Sequence, residues 1–141
     1  MAIIPQSIPV QIGSSITVEE SADLTSRTYK IDFGTNTVSG YIDGVDAMRQ
    51  AIYKILQTER FAYLIYSWDY GVELQGLYGK SRSVVQSELS RVIREALLAD
   101  ARITDIRDIN VTRSGRNSVS VSFVADTKFG SIPIEEVNAS V

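Results

Sequence analysis

The residues best suited to chemistry in this chain are carboxylates that lie among aromatic rings. Glu59, Asp69 and Glu73 fall within residues 58–78, which also contain the single Trp and four of the seven Tyr. Two carboxyl groups about 5 to 9 Å apart are the groups with which many enzymes hydrolyse glycosides, and aromatic rings beside them offer a surface on which a sugar can stack. Asp69 and Glu73 are four residues apart and would share one face of a helix. One hypothesis for this segment is therefore a glycosidase site.

The composition of the same segment favours a binding role over catalysis. Residues 58–74 are too rich in aromatic side chains for a solvated linker and too charged for a plain core strand. Segments of this kind usually anchor a domain, either against its own sheet or against a partner. Acidic residues beside Tyr and Gly are also more often turn formers or cap partners than catalytic groups. We therefore expect this segment to be an anchor.

The chain contains no His and no Cys. Without His it lacks the usual general base near neutral pH, the Ser-His-Asp and Cys-His arrangements, and the commonest transition-metal ligand. Without Cys it lacks disulfides and thiolate ligands. The spacing of Asp100, Asp105 and Asp108 does not match a calcium loop. We therefore expect no cofactor and no metal.

The formal net charge of −3 argues against nucleic acid as a partner. Seven Arg lie between positions 82 and 116, but acidic residues are interleaved with them. This pattern favours local ion pairs over a one-sign field that holds phosphates. No apolar run approaches the roughly 18 residues that cross a bilayer, and the first residues lack the basic head of a signal peptide. We expect neither nucleic acid nor a membrane as partner, and a protein that is made in the cytoplasm.

The chain divides into a leading arm and one domain. Residues 1–26 contain two of the three Pro and a run rich in Ser, Thr and acidic residues, which is typical of an arm that becomes ordered on a neighbour. Residues 27–141 are long enough to bury one core. Alternation from Thr28 to Ile42 predicts a hairpin that begins this domain.

Two helices and three strands are predicted after the hairpin. The first helix follows a cap at Asp43, ends near Thr58 and buries one stripe formed by Val45, Met48, Ile52, Ile55 and Leu56. The second begins with a capping box at Ser83–Gln86 and buries Val85, Leu89, Val92, Ile93, Ala96 and Leu97. Strands are predicted over 103–113, 117–127 and 130–137. This order predicts an α+β fold: a small, mostly antiparallel sheet with two main helices packed on one face and an extended N-terminal arm.

The last predicted strand contains Pro133 between Ile132 and Ile134. Proline lacks an N–H donor and is tolerated in a sheet only at an edge, at a strand start or at a bulge. The C-terminal strand should therefore lie at the border of the sheet. Such a border is either protected against pairing or used to recruit a strand from another chain. We therefore expect that removal of residues 129–141 leaves a folded domain that no longer recruits such a strand.

The sequence resembles a known family along about four-fifths of its length. The resemblance is carried by Arg27–Asp32, Gly40–Leu56, Thr58–Phe61, Tyr66–Gly71, Arg91–Leu97 and Asp100–Ile103. These segments are similar to baseplate proteins of contractile tails in the PBSX-type prophage branch. Those proteins in turn resemble the gene-25-like sheath initiators, which were once considered lysozyme-like.

The resemblance implies a non-enzymatic structural protein in the baseplate of a contractile phage tail or a phage-tail-like bacteriocin. It would nucleate the tail sheath by strand pairing and attach to baseplate wedge proteins and to tail tube or hub proteins. Six copies per baseplate, assembled in the bacterial host cytoplasm, are also implied. The alternative is a peptidoglycan-cleaving, lysozyme-like glycosidase that uses the paired carboxylates.

The resemblance also directs attention to particular residues. In the family a Glu-Pro-Arg motif follows the long helix and ties the protein to the wedge, and the matching positions here are Asp100, Ala101 and Arg102. The acid is one methylene shorter, and the Pro is absent. Together with the aromatic segment and the border strand, the predicted partner-binding residues are Glu59, Arg60, Trp68, Tyr70, Gly71, Asp100, Arg102, Ile132, Pro133 and Ile134.

Overall fold

A computed structural model describes residues 26–116 and 118–140 of the chain. The elements, in chain order, are β1 (Thr28–Asp32), β2 (Thr37–Ile42), α1 (Gly44–Gln57), a 3-10 turn (Gln75–Leu77), α2 (Arg82–Leu98), β3 (Ile103–Arg113), β4 (Ser118–Thr127) and β5 (Gly130–Ser140). The predicted α+β class is confirmed. All of the predicted arm except Ser26 lies outside the described residues, so the division between arm and domain stays a prediction.

The core lies between the two helices and an antiparallel sheet of order β3-β4-β5. All six apolar residues predicted to face inward from α2 are buried. Val121, Phe123 and Ala125 of β4 are buried as well, because successive side chains of a strand alternate between the two faces of the sheet. The core is therefore built from the helical spacing of apolar residues in α2 and their alternation in β4, both of which are visible in the sequence.

The helix starts agree with the sequence at α1 but not at α2. The Asp43 carboxylate accepts a hydrogen bond of 2.7 Å from the Gly44 N–H, as expected for a cap. Val45, predicted to be buried, is 38% exposed, whereas the other four stripe residues are buried. The capping box at Ser83–Gln86 is wrong. The Val85 N–H donates to the Ser81 carbonyl at 2.9 Å, so the helix begins two residues earlier and Ser83 lies inside its first turn.

The predicted hairpin forms a sheet of its own, in which β1 pairs only with β2 among the described residues. It is attached to α1 through the buried side chain of Gln50. The Gln50 Oε1 accepts from the Ile31 N–H at 2.9 Å, and its Nε2 donates to the Tyr29 carbonyl at 2.8 Å. One side-chain amide thus bonds the backbone of β1 as a neighbouring strand would.

The C-terminal strand lies at the border of the three-stranded sheet, as Pro133 predicts. Two residues, Glu135 and Glu136, stand opposite one residue of β4, and Glu136 adopts a φ of 49°. This bulge returns Val137 to the same face as Ile134. Ile132, Ile134 and Val137 are consequently all buried. The expectation that residues 129–141 can be removed without unfolding is therefore wrong, because the deletion would empty part of the core.

Candidate functional site

The aromatic segment folds into a closed loop, which we call the aromatic loop and define as residues 61–70. Its two ends are joined by backbone hydrogen bonds. The Arg60 N–H donates to the Val72 carbonyl at 3.0 Å, and the Val72 N–H donates to the Thr58 carbonyl at 2.9 Å. Gly71 has a φ of 102°, and a Cβ at this position would lie 2.6 Å from the Thr58 carbonyl oxygen. Only glycine fits this closure without strain.

The Glu59 side chain stabilises the closure of the loop by binding backbone groups that follow it. Its Oε1 accepts hydrogen bonds from the backbone N–H groups of Leu74 at 3.1 Å and Gln75 at 3.2 Å. These amides open the 3-10 turn at Gln75–Leu77 and have no helical partner of their own. The Glu59 carboxylate therefore caps the turn that follows the loop.

Arg60 joins the base of the aromatic loop to α2. Its side chain is only 11% exposed, and the Nη1 atom lies 3.3 Å from Glu73 Oε1 and 3.2 Å from Glu95 Oε1. Its Nε donates to the Gly71 carbonyl at 3.4 Å. Arg60, like Glu59 and Gly71, thus builds the loop. A direct partner contact for any of the three stays a prediction.

The tip of the aromatic loop presents apolar side chains to solvent. Trp68 is 82% exposed and Ile65 is 86% exposed, and Leu64 is fully exposed. The Trp68 ring meets the edge of Phe61 with 6.4 Å between ring centroids, which holds these rings together on the surface. Solvent-facing apolar side chains grouped in this way mark interaction sites. Leu64 and Ile65 were not among the predicted site residues, although they belong to the segment that was predicted to be an anchor.

The root of the loop is formed by Tyr66 and Tyr70, whose rings stack with 4.5 Å between centroids. Tyr70 is half-buried and packs against the core. Burial raises the pKa of the Tyr70 hydroxyl above its ordinary value, and the nearby Tyr66 and Asp100 raise it further. Tyr70 also lines a small cavity together with Asp69 and Asp100. The structure therefore brings two predicted site residues, Tyr70 and Asp100, to one place.

Asp100 and Arg102 bind each other. The Arg102 Nε lies 3.0 Å from Asp100 Oδ1, its Nη2 lies 2.6 Å from Oδ2, and its backbone N–H donates to Oδ1 at 2.9 Å. Burial raises the pKa of Asp100, but these hydrogen bonds outweigh it and hold the pKa below its ordinary value. Despite the missing methylene and Pro, the acid and the Arg make a two-pronged contact within the chain.

Of the three predicted site residues on β5, Ile132 and Ile134 point into the core and Pro133 faces solvent. Pro133 lies beside Arg49 and Tyr53 of α1, in an open groove between the helix and the strand. A partner that reached β5 would meet the backbone, Pro133 and the carboxylates of the bulge. The two Ile side chains would act indirectly, by holding the strand in place.

The carboxylates of the glycosidase hypothesis do not form the expected arrangement. The segment that contains Asp69 and Glu73 is not helical, so the two side chains share no helical face. Glu59 accepts backbone hydrogen bonds and Glu73 pairs with Arg60. Within residues 26–116 and 118–140, no three His, Cys, Asp or Glu side chains are grouped as a metal site. No helix in these ranges is long and apolar enough to cross a membrane.

Comparisons with known proteins agree with the resemblance noted from the sequence. Residues 23–130 match the model of the contractile injection system sheath initiator family. The chain is also 41% identical over 126 residues to the phage-like element PBSX protein XkdS of Bacillus subtilis (strain 168), with 86% of this chain and 89% of that protein covered. The aromatic loop, its closure and the Asp100–Arg102 pair all lie within the matched residues. This chain therefore belongs to the contractile injection system sheath initiator family, which gives it a structural role in a contractile tail.

Proposed function

We propose that this protein is a non-enzymatic component of the tail baseplate, assembled in the bacterial host cytoplasm, that seeds the sheath by accepting a β-strand. The observation that supports the proposal most directly is that the sheets have strand edges without a neighbouring strand. Among the described residues, β5 pairs only with β4 and β2 pairs only with β1, whereas the outer edge of β1 already bonds the Gln50 side chain. An unpaired edge presents backbone N–H and C=O groups to which a strand of the sheath protein can bond.

The edges differ in how readily they would accept a strand. At the border formed by β3, Arg94 of α2 donates to the Ile106 carbonyl at 2.5 Å and so occupies one backbone acceptor. The border at β5 carries Pro133 and the Glu135–Glu136 bulge, both of which protect an edge against pairing. The hairpin contains no Pro, although its ladder has a register shift between Tyr29 and Ile31. The absence of Pro favours β2, the open edge of the hairpin, as the acceptor, with the predicted β5 border as the second candidate.

The hairpin also has a physical reason to gain from a partner strand. A two-stranded hairpin is at best marginally stable by itself. Here Tyr29 and Tyr41 stack with 5.0 Å between centroids, yet both are mostly exposed, as is Val38. A third strand would cover these side chains and extend the ladder of backbone hydrogen bonds. Sheath addition would thus stabilise the element that receives it.

Attachment to wedge and to tube or hub proteins is assigned to the aromatic loop and the adjacent Asp100–Arg102 corner. Trp and Tyr dominate the energetics of many interfaces because they bury a large area at low entropic cost. Trp68 and the apolar residues around it supply such side chains on a loop that its own chain holds closed. Six copies, one on each wedge, follow from the family resemblance.

The strand-pairing proposal is tested by blocking each edge separately. We expect Val38→Pro in the hairpin to abolish sheath nucleation in an assembly reaction with purified sheath protein, because it interrupts the ladder. Glu135→Pro, placed at the existing bulge, is the matched control on β5. Both variants must show cooperative thermal unfolding. Loss of nucleation only in Glu135→Pro would identify β5 as the acceptor, and normal nucleation by both folded variants would exclude strand pairing.

The enzymatic alternative is tested on the unmodified protein. We expect no clearing of purified peptidoglycan. Clearing that disappears in Glu59→Gln, Asp69→Asn or Glu73→Gln would contradict the proposal that the protein acts without catalysis. Because Glu59 also caps the 3-10 turn, its variant must first be shown to be folded.

A further inference from the structure

A groove of about 220 Å³ lies between the start of α2 and the ends of β3 and β4 that meet at their connecting turn. Its apolar floor includes Leu77, Val85 and Val119, of which the first two are buried and the third is half-buried. Four cationic side chains line it: Lys80, Arg82, Arg113 and Arg116. Among the described residues, no carboxylate lines it. The groove is therefore a positive site on a protein whose net charge is −3.

The four cations of the groove form no ion pair with a described carboxylate, although Lys80 lies near enough to Glu88 to help lower the pKa of that carboxyl. Lys80, Arg82 and Arg116 form no ion pair with any described residue, whereas Arg91, Arg94, Arg102 and Arg107 all do. Glu88, on the next turns of α2, is held by Arg91 at 2.8 Å. Arg113 donates to the Gly115 and Arg116 carbonyls, which fixes its guanidinium beside the groove but leaves its charge in place.

The start of α2 adds to this field. Ser81 precedes the helix without a side-chain cap, and the first turn contains no acidic residue. The N–H groups of a first helical turn have no partner in the helix and carry a partial positive charge. The start of α2 therefore adds partial positive charge to the groove, as the four cationic side chains do.

We propose that this groove binds an extended acidic segment of a partner protein. Its carboxylates would pair with Lys80, Arg82 and Arg116, and an apolar side chain between them would rest on Leu77 and Val85. Arg binds carboxylates through two parallel hydrogen bonds, which gives such a contact direction as well as strength. The cations of the groove thus favour a partner that carries carboxylates, and its apolar floor favours a polypeptide with an apolar side chain between them.

A nucleic acid fits the groove less well than an acidic peptide does. The volume holds only a few side chains, and no long stripe of cations leads away from it, because the other Arg of α2 are paired with acidic residues. A polyanion would also meet the net negative charge of the rest of the molecule. The site is built for a few carboxylates.

The proposal is tested by fluorescence anisotropy with the full-length protein and a labelled peptide of about ten residues in which Glu alternates with Thr and Val. We expect binding that weakens as salt rises, since screening acts on exposed charges. The double variant Lys80→Glu and Arg82→Glu should weaken binding at least about tenfold. The control Lys30→Glu and Lys128→Glu changes the net charge equally at exposed sites outside the groove and should change binding less than about twofold.

Several results would overturn the proposal. The first is that the groove variant and the control variant weaken peptide binding equally. The second is that a peptide with Gln in place of Glu binds as tightly as the Glu peptide. The third is that the Glu peptide does not bind at concentrations up to about 1 mM. Tighter binding of a single-stranded oligonucleotide of the same length would show that the site recognises nucleic acid instead. If the groove variant fails to unfold cooperatively, Arg82→Gln with Arg116→Gln replaces it, with the same expected loss. Sheath nucleation does not enter this test, so its result is independent of strand pairing.

Discussion

The aromatic loop and α2 are both rich in apolar side chains, but the chain places those side chains in opposite environments. Along α2 the apolar residues recur at helical spacing, and all six predicted core positions are buried. In the aromatic loop the apolar residues follow one another without a period, and Leu64, Ile65 and Trp68 face solvent. Apolar content therefore does not by itself show where a segment lies. Periodicity identifies the residues that one element can bury together.

The loop can keep its apolar tip exposed because polar groups hold its base. Glu59, Arg60 and Gly71 connect the two ends of the loop to each other and to α2. α2 needs no comparable polar framework, because its stability comes from the contacts of its buried face. The buried face of α2 thus stabilises the fold, whereas the tip of the aromatic loop exposes apolar side chains to solvent. Substitutions in these two regions should therefore change the free energy of unfolding by different amounts.

The largest effect on stability is expected from Leu89→Ala on α2. Leu89 is fully buried, and its truncation leaves a cavity in the core that costs about 2–5 kcal/mol. Chemical denaturation of the two proteins measures the difference. A loss below about 1 kcal/mol would mean that α2 is not the main source of core packing.

A smaller but still clear effect is expected from Gly71→Ala at the base of the loop. The added Cβ would approach the Thr58 carbonyl, and the residue has a positive φ, so the free energy of unfolding should fall by about 1–3 kcal/mol. Gly76→Ala is the matched control, since nothing lies within 4 Å of its added Cβ. Equal stability of the two variants would show that the closure is not strained by a side chain.

The Asp100–Arg102 pair predicts a dependence of stability on pH. Because the folded pKa of Asp100 lies below its unfolded value of about 3.9, its contribution is present above that pH and is lost as the pH falls through the folded pKa. Asp100→Asn should lower the melting temperature at pH 7 and flatten its acid dependence. Thermal unfolding at several pH values between about 7 and 2 measures both. An unchanged slope in the variant would contradict the assignment.

The smallest effect on stability is expected at the tip of the loop. Trp68→Ala should change the free energy of unfolding by less than about 0.5 kcal/mol, because the side chain is 82% exposed. The same substitution should reduce capture of purified wedge or tube proteins. Phe33→Ala, at another exposed ring outside the loop, is the control for that assay. Strong destabilisation by Trp68→Ala would mean that the ring supports the fold and not a partner.

The sequence predicted most elements of the fold because the signals for them are local. The cap at Asp43, the six buried residues of α2 and the border position of the strand with Pro133 can each be read from a short window. The start of α2 was missed because Ser83–Gln86 fits the capping-box pattern, whereas the backbone begins the helix after Ser81 without a side-chain cap. The hairpin was predicted, but its separation from the three-stranded sheet was not. Nothing in the sequence of β1 indicates that the Gln50 side chain will take the place of a strand.

The candidate site was harder to predict because its residues act across the chain. Arg60 is recognisable as part of a motif, but its contact with Glu95 joins residues 35 positions apart. Seven interleaved Arg suggested local ion pairs, and four of them form such pairs, whereas Arg82, Arg113 and Arg116 meet at one groove. Which charges are neutralised depends on packing between α2 and the sheet, and not on neighbours in sequence.

By itself the sequence determined the class of the fold, the apolar faces and the family, because periodicity, caps and motifs are properties of neighbouring residues. The tertiary structure alone decided that Trp68 lies on the surface, that Glu59 and Arg60 close a loop, and that Lys80, Arg82, Arg113 and Arg116 line one groove. The physical reason is the same in each case. A side chain becomes exposed, paired or unneutralised only when distant segments come together, since burial and charge pairing depend on distances that no local pattern contains.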